Sequence, residues 1–216
     1  INYNASGSAV TVYLDGTVGT GGDAAGDTIS GFEIAIGSSY ADSLFGTTGS
    51  DTLYGNDGND TIQAGAGADT IYGEAGEDLL IGGAGADSID GGSGTDTASY
   101  ASSASGVNAY LNGLSGSGGD AQGDALTAIE NLTGTSSADT LTGDGNANRL
   151  DGGSGDDTLI GGAGGDTLTG GAGTDTADYS GAGAGVTVYM DGTLGSGSDA
   201  AGDSLSSIEV IIGSAF

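Results

Sequence analysis

Residues 46–99 read GTTGSDTLY GNDGNDTIQ AGAGADTIY GEAGEDLLI GGAGADSID GGSGTDTAS, a nine-residue phrase that occurs six times in succession. Glycine predominates at positions 1 and 4 of the phrase, Asp stands at position 6, and position 8 is aliphatic until Ala98 closes the run. A second run at 143–178 reads GDGNANRLD GGSGDDTLI GGAGGDTLT GGAGTDTAD. This nine-residue repeat organises the chain.

The repeat divides into a turn and a strand. Its first six positions are too rich in glycine for a helix, because glycine inside a helix costs about 1 kcal/mol relative to alanine. Glycine also permits left-handed backbone conformations and lets carbonyl oxygens approach an ion closely. The last three positions, as at 52–54 and 158–160, alternate outward, inward and outward as a short strand does. Two repeats are therefore predicted to form one coil of eighteen residues, with one strand on each of two facing sheets.

Longer segments that resemble one another flank and separate the repeats. The passage at 1–36 returns at 98–132 and again at 177–212. The interval from Tyr3 to Tyr100 exceeds the interval from Tyr100 to Tyr179 by the length of two repeats, which is one predicted coil. An insertion of one whole coil keeps every strand on its own sheet, and this difference therefore supports the eighteen-residue coil independently.

The predicted organisation alternates these spacers with arrays of repeats. In order, it comprises a spacer at 1–36, an array at 37–99, a spacer at 100–133, an array at 134–178 and a spacer at 179–216. We expect the spacers to continue the solenoid, with strands longer than those of the arrays at 9–14, 107–111 and 186–190. After a loop that leaves the roll, each spacer should return to register with Glu33, Glu130 or Glu209 at position 6.

The composition excludes several function classes. The 216 residues include 30 acidic residues, one basic residue and no histidine or cysteine, with a net charge of −29. This charge argues against binding to nucleic acid, and no apolar run approaches the roughly 20 residues of a membrane span. No serine has a recognisable base partner, so we predict that the segment is not an enzyme. We expect so acidic a chain to be disordered without metal and ordered with it.

The stacked acids point to calcium. In an eighteen-residue coil, the acid at position 6 lies beside that of the repeat two further on, and carboxylates about 4.8 Å apart repel unless a cation lies between them. Oxygen ligands without sulfur or imidazole select calcium over zinc or copper. Pairing positions eighteen apart predicts about ten calcium ions, held by Glu33, Asp42, Asp51, Asp60, Asp69, Asp78, Asp87, Asp96, Glu130, Asp139, Asn148, Asp157, Asp166 and Asp175.

These nonapeptides resemble those of the RTX (hemolysin-type) family of secreted calcium-binding proteins. The resemblance implies an all-β, right-handed parallel β-roll, a β-solenoid with two strands per coil. It implies export by a type I system, folding outside the cell, and an extracellular or cell-surface location. It also implies that the position-6 acid ligates calcium together with backbone carbonyls of the glycine-rich turn, represented here by Gly83, Gly85, Gly92, Gly94, Gly153, Gly155, Gly162 and Gly164.

Some positions depart from the family pattern. Asn148 offers an amide oxygen without charge, so its two sites are expected to be weak, and residues 134–150 should open first when calcium is limiting. Glu33, Glu130 and Glu209 could each be a ligand or a cap. For the spacer residues Asp27, Asp124 and Asp203, a turn-stabilising role is favoured over an extra site.

The favoured function is structural: an extender, surface-layer, filament or adhesin segment that pairs end to end with further repeats of the same chain or with another subunit. The recurrence of the spacer favours this function, and residues 213–216 begin a further repeat, so we expect the chain to be part of a longer protein. The alternative is the C-terminal calcium-folding and secretion module of an RTX enzyme or toxin. A lesser alternative is ice binding by the threonine column at position 7, although Tyr54 and Gln63 interrupt a flat face.

Overall fold

The computed structural model describes all residues 1–216. The protein is all-β and contains no α-helix, only three short 3-10 helices at Gly22–Ala24, Gly119–Ala121 and Ser198–Ala200. None of these helices has the length or apolar character needed to cross a membrane. The chain forms two compact units, a first unit of Ile1–Ser99 with Ala121–Ile129 and a second unit of Tyr100–Asp120 with Glu130–Phe216.

The strands are short and evenly spaced along the chain. Those in residues 1–99 are β1 (Thr11–Tyr13), β2 (Asp15–Val18), β3 (Thr28–Ser30), β4 (Ile34–Ile36), β5 (Ser43–Phe45), β6 (Thr52–Asp57), β7 (Thr61–Ala66), β8 (Thr70–Gly76), β9 (Leu79–Ala84), β10 (Ser88–Gly94) and β11 (Thr97–Ser99). Those in residues 100–216 are β12 (Asn108–Tyr110), β13 (Ala125–Thr127), β14 (Asn131–Thr133), β15 (Thr140–Thr142), β16 (Arg149–Ser154), β17 (Thr158–Ile160), β18 (Thr167–Ala172), β19 (Thr176–Asp178), β20 (Ser204–Ser206) and β21 (Val210–Ile212).

The first unit consists of two parallel sheets built by alternating strands. One sheet has the order β4-β6-β8-β10-β13, and the other contains β1-β5-β7-β9-β11. Thr52 pairs with Thr70 and Leu53 with Ile71, so strands that are neighbours in a sheet come from repeats two apart in the sequence. This register confirms the predicted coil of two repeats with two strands.

The second unit repeats the arrangement. One parallel sheet has the order β12-β15-β17-β19-β21, and β14-β16-β18-β20 lie in the other. Leu141 pairs with Leu159, and Leu150 pairs with Leu168, again with a separation of two repeats. Both units are therefore parallel β-rolls.

The position-8 side chains make the core between the sheets of each roll. In the first unit Leu53 and Ile71 on one sheet and Leu44 and Ile62 on the other have no exposed surface. Their neighbours at positions 7 and 9 point outward and are mostly half-buried or exposed. Each short strand thus contributes one aliphatic side chain to the core. Burial of that side chain explains why inward-facing and outward-facing residues alternate along the strand.

The spacers rejoin the sheets after an excursion. Ser88 in β10 pairs with Ala125 in β13, and Thr167 in β18 pairs with Ser204 in β20. Each of these partners is 37 residues away in the sequence, where a plain coil gives 18. In the first spacer the excursion contains the antiparallel hairpin β2–β3. The extra residues form this excursion and the spacer strands keep their places in the sheets.

The prediction of long spacer strands is wrong. Within 9–14 and 107–111 the structure has only the three-residue strands β1 and β12, and 186–190 forms no strand. The longest strands lie in the array, where β8 and β10 have seven residues each. They are longer than the predicted three residues because the pairing between stacked coils continues from the strand into the glycine-rich turn.

Candidate metal centres

The position-6 side chains of successive coils align in columns within each unit. The first unit has the columns Asp42–Asp60–Asp78–Asp96 and Asp51–Asp69–Asp87–Asp124, and the second has Asp139–Asp157–Asp175–Glu209 and Asn148–Asp166–Asp203. Every member except Glu209 is buried, with 0–4% of its surface exposed. The stacking of acids inferred from the spacing is therefore present, in four columns.

One hydrogen bond recurs along every column. The backbone N–H of Asp42 donates to Oδ1 of Asp60 at 2.7 Å, and that of Asp60 donates to Oδ1 of Asp78 at 2.8 Å. At the far end of its column, the N–H of Asp175 donates to Oε2 of Glu209 at 2.9 Å. Each carboxylate that accepts this bond thus has one oxygen satisfied by a neighbouring coil, and its second oxygen requires another partner.

In the first two repeats of each array, the chain itself supplies that partner. The backbone N–H of Thr47 donates to Oδ2 of Asp51 at 2.6 Å, and the Thr47 hydroxyl donates to the same oxygen at 2.9 Å. We call these four repeats closed; they are 37–45, 46–54, 134–142 and 143–151. The corresponding backbone donors in the other three are Ser38 to Asp42, Thr135 to Asp139 and Asp144 to Asn148.

The remaining eight repeats, which we call open, have a different turn. Their residues at positions 2 and 4 have positive φ, as Gly83 at 93° and Gly85 at 155° illustrate. A Cβ atom at either glycine would collide with a carbonyl oxygen of the preceding coil, that of Gly65 or Gly67. Glycine is therefore required twice over, by backbone conformation and by the close stacking of turns.

The open repeats leave carboxylate oxygens without a donor. The buried Oδ2 atoms that have no hydrogen-bond partner include those of Asp60, Asp69, Asp78, Asp157, Asp166 and Asp175. A buried, ionised oxygen without a partner costs several kcal/mol. The acids of the closed repeats are absent from this set, so the type of turn decides which carboxylates are left unsatisfied.

Burial changes the acidity of the open-repeat acids. Burial in the first place, together with repulsion by neighbouring carboxylates, raises the pKa of Asp60 to about 7 and those of Asp78, Asp157 and Asp166 to about 6. These acids titrate near 4 in an unfolded chain. The metal-free fold therefore binds more protons than the unfolded chain between these pH values, and it gains stability as the pH falls through this window.

The surroundings of the unsatisfied oxygens suit a calcium ion. A Cβ atom added at Gly55 would crowd both Asp60 Oδ2 and the carbonyl oxygen of Gly73 in the next coil, so these two oxygens face the same small space. The same relation joins Asp157 Oδ2 to a carbonyl oxygen in the next coil. Nowhere do three acidic side chains converge. An ion here would take one carboxylate and the carbonyl oxygens of the turns, a donor set typical of calcium.

The other acids that the sequence indicated lie at the ends of the columns or outside them. Glu33 is aligned with Asp51 by the pairing of Ile34 with Thr52, yet its side chain is exposed and makes no hydrogen bond to the column. Glu130 contributes its carbonyl oxygen, which accepts a hydrogen bond from Asn148 Nδ2 at 3.1 Å. Because Oδ1 of Asn148 accepts from the N–H of Asp144 at 2.9 Å, both ends of the Asn148 amide are used.

Sequence reasoning missed two column members, Asp124 and Asp203. Both are buried and accept the column hydrogen bond, from Asp87 and Asp166 respectively. The second oxygen of Asp203 accepts a hydrogen bond from the Tyr179 hydroxyl at 2.8 Å, so a tyrosine closes this end of the column. The recurrence of a tyrosine 24 residues before an Asp in all three spacers was the available signal.

Comparison with known families agrees with this geometry. The model of the RTX calcium-binding nonapeptide repeat matches four stretches that together cover more than half of the chain: 36–71, 63–98, 125–159 and 151–183. No curated protein matches the chain. The matched stretches contain all of the open repeats except Ser99, the last residue of repeat 91–99. The chain belongs to the family of proteins with RTX calcium-binding nonapeptide repeats, and it is a calcium-binding parallel β-roll.

Proposed function

We propose that the chain is an extracellular structural segment whose rolls fold when calcium binds after secretion. The observation that carries this proposal is the set of buried Oδ2 atoms without a donor in the open repeats. The net charge is −29, and the one basic residue, Arg149, pairs with Asp151 outside the columns, so no cationic side chain neutralises them. Calcium would supply both the missing charge and the missing bonds.

The two kinds of turn limit where the calcium would bind. We propose one ion for each of the eight open repeats, in place of the ten that pairing by sequence distance predicted. In the closed repeats, N–H and hydroxyl groups already occupy the oxygen that would face the ion. The ligands would be the position-6 Asp and turn carbonyls, among them those of Gly83, Gly85, Gly92, Gly94, Gly153, Gly155, Gly162 and Gly164.

The role proposed is mechanical, without catalysis. Three copies of one spacer alternate with two arrays, and an array of this kind can be lengthened by whole coils without changing the sheets. This supports an extender or filament segment that continues into further repeats, at the cell surface or in a secreted assembly.

A calcium titration followed by circular dichroism tests the proposal. In chelator the chain should be largely unfolded near pH 8, and calcium in the range of extracellular modules, about 10⁻⁴ to 10⁻³ M, should produce a β-sheet spectrum. Magnesium at equal ionic strength is the control for charge screening, and it should leave the spectrum largely unchanged. A complete β-sheet spectrum in chelator would refute the proposal.

A further inference from the structure

The last open repeat of each array, 91–99 or 170–178, is followed in its column by a spacer turn instead of another repeat. We propose that these spacer turns complete the last calcium site of each array, with the backbone carbonyl oxygens of Ser207 and Ala128 as ligands of the ions that Asp175 and Asp96 hold. The proposal rests on the proposed function, because it assigns ligands to two of the ions that this function requires. Neither carbonyl belongs to a nonapeptide of the arrays.

Within an array, each of these sites faces a carbonyl oxygen of the next coil. A Cβ atom added at Gly152 would crowd both Asp157 Oδ2 and the carbonyl oxygen of Gly170. In the first unit the same relation joins Asp78 Oδ2 to the carbonyl oxygen of Gly91. In both cases the carbonyl comes from position 1 of the repeat two further on. The last open repeat in such a column therefore needs this carbonyl from outside the array.

In the second unit, Ser207 occupies the place of that carbonyl donor. Thr169 pairs with Ser206, so Ser207 is aligned with Gly170. A Cβ atom added at Gly170 would crowd both the Ser207 carbonyl oxygen and Asp175 Oδ2. Asp175 has no exposed surface and its Oδ2 has no donor, and no backbone N–H outside the strands donates to the Ser207 carbonyl. Two acceptor oxygens thus face one small space, an arrangement that a cation satisfies.

The spacer turn is built differently from the turns of the arrays. Only residues 207–209 separate β20 from β21, whereas the turn of a nonapeptide occupies its first six positions. Ser207 begins the spacer turn with a φ of 51°, in the left-handed region that residues with a side chain adopt infrequently. The same turn presents Glu209, whose Oε2 accepts the N–H of Asp175 at 2.9 Å. The short turn therefore meets both the backbone N–H and the side chain of Asp175.

The first unit contains the same arrangement with a different side chain. The pairing of β10 with β13 aligns Ala128 with Gly91. A Cβ atom added at Gly91 would crowd both the Ala128 carbonyl oxygen and Asp96 Oδ2. Ala128 has a φ of 49°, close to that of Ser207. The two spacers thus share the position of the carbonyl rather than the side chain, and each retains for it a backbone conformation that costs energy.

The carbonyl resonance of Ser207 in the full chain tests this assignment directly. In protein labelled with carbonyl-¹³C serine and ¹⁵N isoleucine, only Ser88–Ile89 and Ser207–Ile208 join a labelled carbonyl to a labelled amide. Strontium, or lanthanum if strontium does not maintain the β-sheet spectrum, then replaces calcium in the folded chain. We expect the Ser207 resonance to move further than that of Ser88, which follows Asp87 of an open repeat but lies in β10 and therefore measures indirect effects.

Variants of the same turn give a second readout, the number of ions counted by isothermal titration calorimetry. Ser207→Val should bind one ion fewer per chain than the parent, because a β-branched side chain disfavours the left-handed conformation that places the carbonyl. Asp175→Asn should lose the same ion, so the double variant should also bind one fewer and not two. Ser206→Val is the matched control and should lose none, since Ser206 is an exposed residue of strand β20.

Three results would each overturn the proposal: a Ser207 resonance that moves no further than that of Ser88, an unchanged ion count in folded Ser207→Val, or the loss of two ions in the double variant. If Ser207→Val does not fold, the carbonyl resonance of the parent decides alone. Failure of the proposed function would appear differently, as a parent chain that gains no β-sheet spectrum on addition of calcium. An unresponsive Ser207 carbonyl in a calcium-folded chain refutes only the ligand assignment.

Discussion

Replacing Asp60 and Asp42 separately by asparagine distinguishes acids that would hold calcium from acids that the chain satisfies itself. The two residues are neighbours in one column and are 1% and 2% exposed. Asp60 Oδ2 has no donor, whereas Asp42 Oδ2 accepts from the N–H and hydroxyl of Ser38. Asparagine preserves the shape and one acceptor oxygen, so the pair isolates the role of the second oxygen.

The two substitutions should have opposite signatures. At a calcium concentration a hundred times its dissociation constant, one site contributes about 2.7 kcal/mol to stability. Asp60→Asn should remove roughly that contribution in calcium and should stabilise the chain in chelator near pH 8, since a buried charge is lost. Asp42→Asn should cost about 2 kcal/mol with or without calcium, because an amide N–H₂ then faces the donors of Ser38.

The assay is denaturant unfolding of the two variants and the parent at pH 8, with and without calcium, together with isothermal titration calorimetry to count ions. The informative quantity is the gain in unfolding free energy on adding calcium, because effects common to both states cancel. If chelator unfolds the chain entirely, the ion count and the calcium midpoint carry the comparison. An equal loss of bound calcium in both variants would show that closed and open repeats do not differ as metal sites.

Four further substitutions or conditions test separate parts of the site. Ala64 is the one position-1 residue of the arrays with a Cβ. Ala64→Gly should therefore widen the space beside Asp69 and lower the calcium concentration at the midpoint of folding; an unchanged midpoint would argue against calcium binding in that space. Glu74 has a φ of 75°, and Glu74→Gly should raise the unfolding free energy by about 1 kcal/mol, measured in saturating calcium. Because the pKa of Asp60 lies at about 7, lowering the pH from about 8 to 5.5 should weaken calcium binding, whereas any metal-free fold should gain stability. A change of calcium affinity and metal-free stability in the same direction would contradict this. Asn148→Asp should add no bound ion by calorimetry, since residue 148 lies in a closed repeat whose Asp144 N–H already donates to its side-chain oxygen; one additional ion per chain would contradict the assignment.

Much of the fold follows from the sequence because a single period controls it. Leu53 is apolar between two outward-facing neighbours, and this pattern predicts the strand. The difference between the two tyrosine intervals predicts the length of the coil, which the pairing of Thr52 with Thr70 confirms. Stacking identical coils then determines the sheets without any long-range inference. This is why the column members that lie within the arrays follow from the sequence alone.

The spacers were harder to interpret because their insertions hide the period. Asp124 stands 37 residues after its column neighbour Asp87, and no pattern of nine predicts that interval. Glu33 does fall in register with Asp51, but its exposed side chain leaves the column, so register alone did not determine its role. The strand expected at 186–190 is absent, whereas the corresponding residues 11–13 form β1 and pair with β5.

The residue at position 2 of each repeat links the sequence to the metal requirement most directly. A serine or threonine there, as in Ser38 and Thr47, closes the turn onto the acid four residues later through its own N–H and hydroxyl. A glycine there adopts positive φ, as Gly83 does, and the acids of such turns include those whose second oxygen has no donor. The backbone conformation at position 2 therefore separates the two kinds of turn, since Asp144 closes its turn with the N–H alone and Asn56 and Glu74 have positive φ in open repeats. Because the closed repeats stand first in both arrays, each array begins with turns that can form without calcium and continues with turns that calcium would complete. In a solenoid each repeat contacts only its neighbours, so folding can propagate from an already folded coil to the next. The order of closed and open repeats is compatible with folding in that direction.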